Sequence, residues 1–358
     1  MAVGRMHARR AGREPARTGI GPVPIEASVP TIPEPAVAVQ HLRKRFGDFD
    51  AVRDVSFEVA AGETFGLLGP NGAGKTTTVS MLSTLLAPTS GRAKVAGADV
   101  VTERGRVRSR IGLVFQDPTL DEYLTAEENL RFHAELYGVP AASLDTRLDQ
   151  ILDMVELSDR RHDVVQNFSG GMRRRLEIGR GLIHSPRVLF LDEPTVGLDP
   201  QTRAHIWTYI ESLRQSEQIT ILLTTHYMDE AEHCDRIAII DNGEIVVLDS
   251  PDALKARVGR DRLEIAVPDP EAAIAALGER FGIEATVSEG MVAFYVSHGE
   301  EFVPRLFAES GLTIHSVRMS RPTLDDVFMA YTGRTIRDAE ASASDHLRES
   351  ARRFARRR

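Results

Sequence analysis

The sequence is short of several things, and each shortage narrows its function. There is one cysteine in 358 residues, so Cys234 can build neither an intrachain disulfide framework nor a CxxC metal knuckle. That scarcity suits a reducing compartment, and a lone thiol reads as a small buried hydrophobe. No apolar run approaches the roughly 20 residues that a helix needs to cross a bilayer; the longest, such as Val188–Leu191, read as buried strands. Positive charge is also scarce. Lys and Arg number 44 against 52 Asp and Glu, and the net charge of −8 argues against one broad basic face for nucleic acid, so no nucleic-acid partner is expected. Residues 1–35 are rich in Arg, Pro and Gly but lack the apolar h-region of a secretory signal. Pro22, Pro24, Pro30, Pro33 and Pro35 oppose a helix there, so the segment reads as a disordered basic arm. Residues 334–358, ending in Arg356-Arg357-Arg358, read as a second, solvated basic tail.

What is present suffices for two domains with their own cores. From Val37 the chain shows short β-rich runs, Val37–Val39, Ala51–Val59 and Thr64–Leu68, followed by glycines and then Lys75–Leu86 with Val79, Leu82 and Leu86 at helical spacing. Strand signals vanish over about 121–182, where Ala126–Leu136 and Leu144–Val155 carry amphipathic periodicity, so a helical subdomain is expected. They return at Val188–Leu191, Thr220–Thr224 and Arg236–Ile240 between helical stretches, which predicts an α/β domain with a mainly parallel sheet over 36–258. Beyond it, Leu263–Val267, Pro270–Phe281, Glu284–Ser288, Met291–Val296, Glu300–Ser310 and Leu312–Val317 alternate as strand, helix, strand, strand, helix, strand, with Glu289-Gly290 as the hairpin turn. That order predicts a small α+β ferredoxin-like domain over 262–333, closed by a helix at Thr323–Tyr331 that Thr323 caps.

The run Gly69-Pro70-Asn71-Gly72-Ala73-Gly74-Lys75-Thr76-Thr77 follows a strand and opens a helix, as the phosphate-binding pattern G-x-x-x-x-G-K-[ST] requires. Each part answers a triphosphate. Glycines let backbone N–H groups converge on phosphate oxygens, the helix start adds positive potential, Lys75 supplies a point charge, and Thr76 can bind Mg²⁺. Further on, Arg187–Leu191 leads into Asp192-Glu193-Pro194, an apolar strand ending in two acids. Because successive strand residues face opposite ways, the acids are expected to divide the work. Asp192 would hold Mg²⁺ and Glu193 would polarise the attacking water as general base.

These motifs are joined by others in fixed order. Asn167-Phe168-Ser169-Gly170-Gly171-Met172 resembles the signature loop of ABC ATPases, departing from L-S-G-G-Q at its first and last positions, and lies 24 residues before Glu193. Gln116 matches a Q-loop, Gly197-Leu198-Asp199 a D-loop, and His226 the switch histidine. The resemblance covers about Val37 to Val258 and implies a P-loop NTPase fold of the ABC type. It also implies two ATPs sandwiched in a head-to-tail homodimer, with Ser169 and Gly171 meeting the γ-phosphate on the partner's Lys75 and Gly170 in the same ATP-binding loop. Gln116 would reach Mg²⁺ or the lytic water and couple it to membrane domains, His226 would contact the γ-phosphate, and Asp199 would act across the dimer. Phe46, 29 residues before Lys75, stands where relatives stack an aromatic on adenine.

The ending narrows the resemblance. Thr224–Glu232, the small α+β domain and Arg321-Pro322-Thr323-Leu324-Asp325-Asp326-Val327-Phe328 are similar to the daunorubicin-resistance type of drug-exporter ATPase. An ATP-hydrolysing subunit is expected, peripheral on the cytoplasmic face of the cell membrane, powering efflux of a drug, lipid or other hydrophobic compound through a separate permease. The alternative, a soluble ABC ATPase acting on ribosomes or nucleic acid, fits less well. Ribosome-acting relatives commonly carry two cassettes, and DNA-repair relatives insert long coiled coils where only 53 residues separate Gln116 from Ser169. A module that binds ATP without turnover is disfavoured by the intact set Lys75, Asp192, Glu193 and His226.

Overall fold

The computed structural model describes residues 34–288, 290–333 and 336. Most of the expected basic arm and tail, and Glu289 of the expected hairpin turn, lie outside the described residues.

The chain opens with a hairpin of β1 (Val37–Phe46) and β2 (Phe49–Val59). The wholly buried β3 (Thr64–Leu68) then leads into α1 (Lys75–Leu82). β4 (Ser90–Val95), β5 (Ala98–Asp99), α2 (Arg104–Arg108) and β6 (Ile111–Val114) follow. Three helices come next, α3 (Ala126–Leu136), α4 (Ala141–Met154) and α5 (Gly170–Leu182). The chain then alternates through β7 (Val188–Asp192), α6 (Pro200–Glu217), β8 (Thr220–Thr225) and α7 (Met228–Ala231) to the hairpin β9 (Arg236–Asp241) and β10 (Glu244–Asp249), and to α8 (Pro251–Val258).

Their ten-stranded sheet has the order β5-β4-β1-β2-β10-β9-β3-β8-β7-β6. Strands β9, β3, β8, β7 and β6 form a parallel block, and β5-β4-β1-β2 is antiparallel, joined to the rest through one bridging pair, Glu244 with Asp54. The apolar run of β7 shows why it sits in the middle. Leu189 and Leu191 enter the core on one face, Val188 and Phe190 the core on the other, as a strand covered on both sides must.

Four strands were not anticipated: β10 forms because it pairs antiparallel with β9, Ile245 opposite Ile240, and the other three each have a physical reason. Ser90–Val95 is mostly polar and exposed; it is a strand because β1 pairs with it, Val37 opposite Val95. β5 is only two residues long. β6 is four residues with Gly112 inside, where a Cβ would lie 2.3 Å from the Gly181 carbonyl oxygen. A weak strand former is thus required where α5 presses onto the strand backbone.

The second sheet belongs to a compact β-α-β-β-α-β unit: β11 (Asp261–Ala266), α9 (Pro270–Phe281), β12 (Ala285–Ser288), β13 (Met291–Val296), α10 (Gly299–Glu309) and β14 (Ser316–Ser320). Its order β12-β13-β11-β14, antiparallel throughout, is ferredoxin-like. The expected final strand Leu312–Val317 is displaced. Leu312 and Ile314 reach the small core from an irregular approach, and the strand itself starts at Ser316.

Helix α11 (Leu324–Thr332), begun by a capping box between Thr323 and Asp326, returns to the large domain. Leu324, Val327 and Phe328 pack with Leu254 of α8 in the same core as Leu223 and Ile239. Phe328 is fully buried, so Phe328→Ala is expected to cost about 3–5 kcal/mol, read as a lowered urea midpoint at unchanged slope. A cost below about 1 kcal/mol, the range of a surface change, would remove α11 from the core.

Candidate functional site

The site assembles at the carboxyl ends of β3, β7 and β8, where an open α/β sheet presents its loops. After β3, the Gly69 N–H donates to the Thr225 carbonyl at 3.1 Å, which fixes the loop entry to the end of β8. The Ala73 N–H closes a turn onto the Pro70 carbonyl at 3.2 Å, while Asn71 and Gly72 are exposed. Gly74 has φ +106, and a Cβ there would lie 2.7 Å from the Ala51 carbonyl oxygen, so glycine is demanded by both conformation and space. Lys75, Thr76 and Thr77 then form the first turn of α1, whose N–H groups open into the loop.

Lys75 is buried, and its Nζ donates to the carbonyls of Gly69 at 2.7 Å and Pro70 at 3.2 Å. It also lies 3.3 Å from Glu193 Oε1. Thr76 Oγ1 donates to Asp192 Oδ1 at 3.1 Å, and Thr224 Oγ1 donates to the same oxygen at 2.5 Å. Burial pushes the Asp192 carboxyl above its usual range, against the opposing pull of these two hydroxyls.

The strand ends at Asp192, and Glu193 adopts φ +47, left-handed for a side chain that rarely goes there. Its N–H is held by the carbonyl and hydroxyl oxygens of Thr224, at 3.2 and 3.1 Å. The alternation expected of the two acids therefore fails. The backbone turns at Glu193 and brings both carboxylates to the phosphate loop, Asp192 against Thr76 and Glu193 against Lys75. Gln116 Nε2 donates to Glu193 Oε2 at 3.2 Å, and His226 Nδ1 lies 3.3 Å from Glu193 Oε1. Burial works to raise the Glu193 pKa, but the adjacent His226 ring and the Lys75 charge outweigh it and hold the carboxyl below the ordinary glutamate value. Glu193 is thus an ionised, buried carboxylate with three polar neighbours.

The remaining expected residues make their contacts elsewhere. Ser169 caps α5, accepting the Met172 N–H at 3.2 Å, with Gly170 exposed and Gly171 half-buried beside it. Asp199 caps α6 through the N–H groups of Gln201 and Thr202. The Thr202 hydroxyl, and then these N–H bonds, lower its pKa. Phe46 is 49 % exposed at the tip of the β1–β2 hairpin, with Lys44 Nζ 5.0 Å from its ring centre.

Two features of the site escaped the sequence. Thr224, buried at the end of β8, binds both Asp192 and the Glu193 backbone; its place two residues before His226 was the available signal. Arg174, on the helix that Ser169 caps, reaches the backbone of Asp192, Glu193 and Pro194.

This architecture is shared with known proteins. Residues 52–196 match the ABC transporter family, and residues 250–332 match the C-terminal domain of ATP-binding protein DrrA1-3-like proteins. The daunorubicin resistance ATP-binding protein DrrA3 of Streptomyces coeruleorubidus is 41% identical over 313 residues, 86% of this chain and 99% of that protein. The linearmycin resistance ATP-binding protein LnrL of Bacillus subtilis strain 168 is 39% identical over 308 residues, 84% and 99% of the two chains. A dimeric ATP-binding cassette in a post-hydrolysis state with ADP and Pi superposes with TM-score 0.55 at 27% identity, covering 60% of this chain and 98% of the other. The chain therefore belongs to the ABC transporter ATP-binding proteins, as an ATPase subunit of the drug-resistance or export type.

Proposed function

We propose that this ATPase works as a head-to-tail homodimer that drives a separate membrane permease from the cytoplasmic face of the membrane. The observation that carries the dimer is that the chain holds two anion-binding loops with separate surroundings. Gly69–Thr77 lies against Glu193, Gln116 and His226. Ser169-Gly170-Gly171 is a nest with Ser169 and Gly170 exposed and Gly171 half-buried, whose serine uses an oxygen lone pair to cap α5 and keeps its hydroxyl proton to donate. A nucleotide between the two loops of different protomers would satisfy both.

In that arrangement Lys75 exchanges the carbonyls of Gly69 and Pro70 for phosphate oxygens, and Ser169, Gly170 and Gly171 take the γ-phosphate from the other side. Asp192, Thr76 and Gln116 are the residues to hold Mg²⁺. The convergence of Thr76 Oγ1 and Asp192 Oδ1 at 3.1 Å fits a hard cation that keeps several waters and takes its other ligands from phosphate. When bound, the ion would offset charge on the transferred phosphoryl group. Glu193, ionised and held by Gln116 and His226, accepts the proton of the attacking water. His226 presents its other ring nitrogen to the γ-phosphate, Asp199 meets the partner, and Phe46 offers its open face to adenine.

The permease is proposed from two facts. Among the described residues no helix is long and apolar enough to cross a membrane, and Phe132 and Leu136, one turn apart on α3, are 60 and 66 % exposed, with Tyr123 just before that helix 82 % exposed. That apolar patch, in the segment after Gln116, suits a partner that Gln116 could sense. The cargo class proposed is a drug, lipid or other hydrophobic compound. Sedimentation of native membranes tests the reading. The chain is expected to pellet with salt-washed membranes, and Phe132→Asp with Leu136→Asp is expected to release it by about tenfold or more, as for loss of buried interface anchors, with ATP binding retained. Pelleting with ribosomes or DNA instead would sink the proposal.

A further inference from the structure

Helix α5 carries Arg174, Glu177 and Arg180 at three-residue spacing, so one face presents all three. Arg174 and Glu177 are buried, and their bonds run to two loops of the site. Arg174 Nε donates to the Pro194 carbonyl at 2.6 Å, and Nη2 donates to those of Asp192 and Glu193 at 3.2 and 3.3 Å. Its Nη1 donates to the Phe115 carbonyl at 2.6 Å and to Glu177 Oε2 at 3.0 Å. Glu177 Oε1 accepts the Thr119 N–H at 2.7 Å, and Arg180 Nη1 donates to the Thr119 carbonyl at 2.7 Å. The stripe therefore grips the chain on both sides of Gln116, at Phe115 and Thr119, and the backbone of Glu193 itself.

A buried ion pair is a poor source of stability compared with apolar residues of equal volume. Burial also disfavours the Arg174 charge, so that its pKa falls although Glu177 and Asp192 oppose the change. What the guanidinium provides is geometry: one rigid planar fork fixes four carbonyl oxygens from two loops. The same helix begins at Ser169, less than two turns earlier.

We propose that Arg174 is a positioning residue. It ties the helix that carries the Ser169 loop to the Glu193 backbone and to both flanks of Gln116, so that seating that loop on nucleotide sets the Glu193 carboxylate and the Gln116 amide in place. This rests on Glu193 as the general base. The Arg174 fork acts on turnover and not on nucleotide capture, because its hydrogen bonds to Phe115, Glu177 and Asp192 to Pro194 bypass the phosphate loop.

The test is steady-state hydrolysis and equilibrium ATP binding on the full chain. Arg174→Met with Glu177→Gln removes both charges, while the Gln amide oxygen can still accept the Thr119 N–H. It is expected to lower kcat by about 10²-fold, the scale of a small misplacement of reacting groups, with the ATP Kd within about threefold, the usual signature of loss confined to the transition state. Arg174→Lys keeps the charge without the fork and is expected to lower kcat by about tenfold, again at near-constant Kd. Wild-type kcat in either variant overturns the proposal, as does a fall in affinity that accounts for the whole loss. Absence of a cooperative unfolding transition in both variants would make the stripe scaffold alone and also overturn it. Glu193→Gln separates the two readings. If it turns over normally the base assignment falls, whereas an inactive Glu193→Gln beside an active Arg174 variant removes only this inference.

Discussion

Glu193→Gln is expected to lower ATP turnover by about 10²–10⁴-fold, the contribution of a positioned general base, while leaving ATP binding intact. The amide nearly matches the carboxylate in shape, so the left-handed backbone at Glu193 and its N–H bonds to Thr224 need not change. What disappears is a proton acceptor that His226 and Lys75 keep ionised despite its burial. The same change removes a negative charge 3.3 Å from Lys75 Nζ, which leaves the lysine more available to phosphate. Affinity should therefore hold or rise as turnover falls. Phosphate release and equilibrium ATP binding measure the two quantities, and gel filtration with ATP should find an ATP-trapped dimer that the parent chain does not accumulate. Turnover at the parental rate would end the role assigned to Glu193.

The parts of this site that sequence reading reached are those whose chemistry imposes spacing. Gly69 to Thr77 could be placed because a loop of N–H groups at a helix start admits few residue types, and Gly74 meets that demand twice, by φ and by contact with Ala51. The ferredoxin-like order was legible from the alternating apolar runs, and only the last strand slipped, since Leu312 and Ile314 fill the core without pairing. What stayed hidden depends on neighbours distant in the chain. Ser90–Val95 is a strand because β1 lies beside it. The turn at Glu193 follows from Thr224, 31 residues later, and period-two reasoning cannot see it. Nothing in the local spacing separates Arg174 from a solvated helix cation, and only the folded arrangement reveals carbonyls converging on it from Phe115 and from Asp192 to Pro194.

Ser169→Arg is expected to abolish ATP-dependent dimerisation while each monomer still binds ATP. The back of the loop is already filled. A Cβ on Gly170 would meet Leu198 at 3.3 Å and one on Gly171 would meet Thr202 at 2.6 Å, so the nest is seated against the start of α6. The exposed side at Ser169 is therefore where a long side chain must go, and that is the side the partner's nucleotide would approach. Losing the Ser169 cap costs α5 about 1 kcal/mol, too little to unfold a domain of this size but enough to loosen the first turn. Ser169→Ala supplies the control, because it removes the cap and the hydroxyl donor without adding bulk; it should weaken the dimer without abolishing it. Both changes are best placed on Glu193→Gln, where hydrolysis cannot dissolve the dimer, and followed by sedimentation velocity with and without ATP. ATP binding by Ser169→Arg should match the parent because Gly69 to Thr77, Lys75 and Asp192 are untouched. A dimer that forms as readily in Ser169→Arg as in the parent would mean that this loop does not face the partner's nucleotide, and the two anion sites of the chain would then need separate explanations.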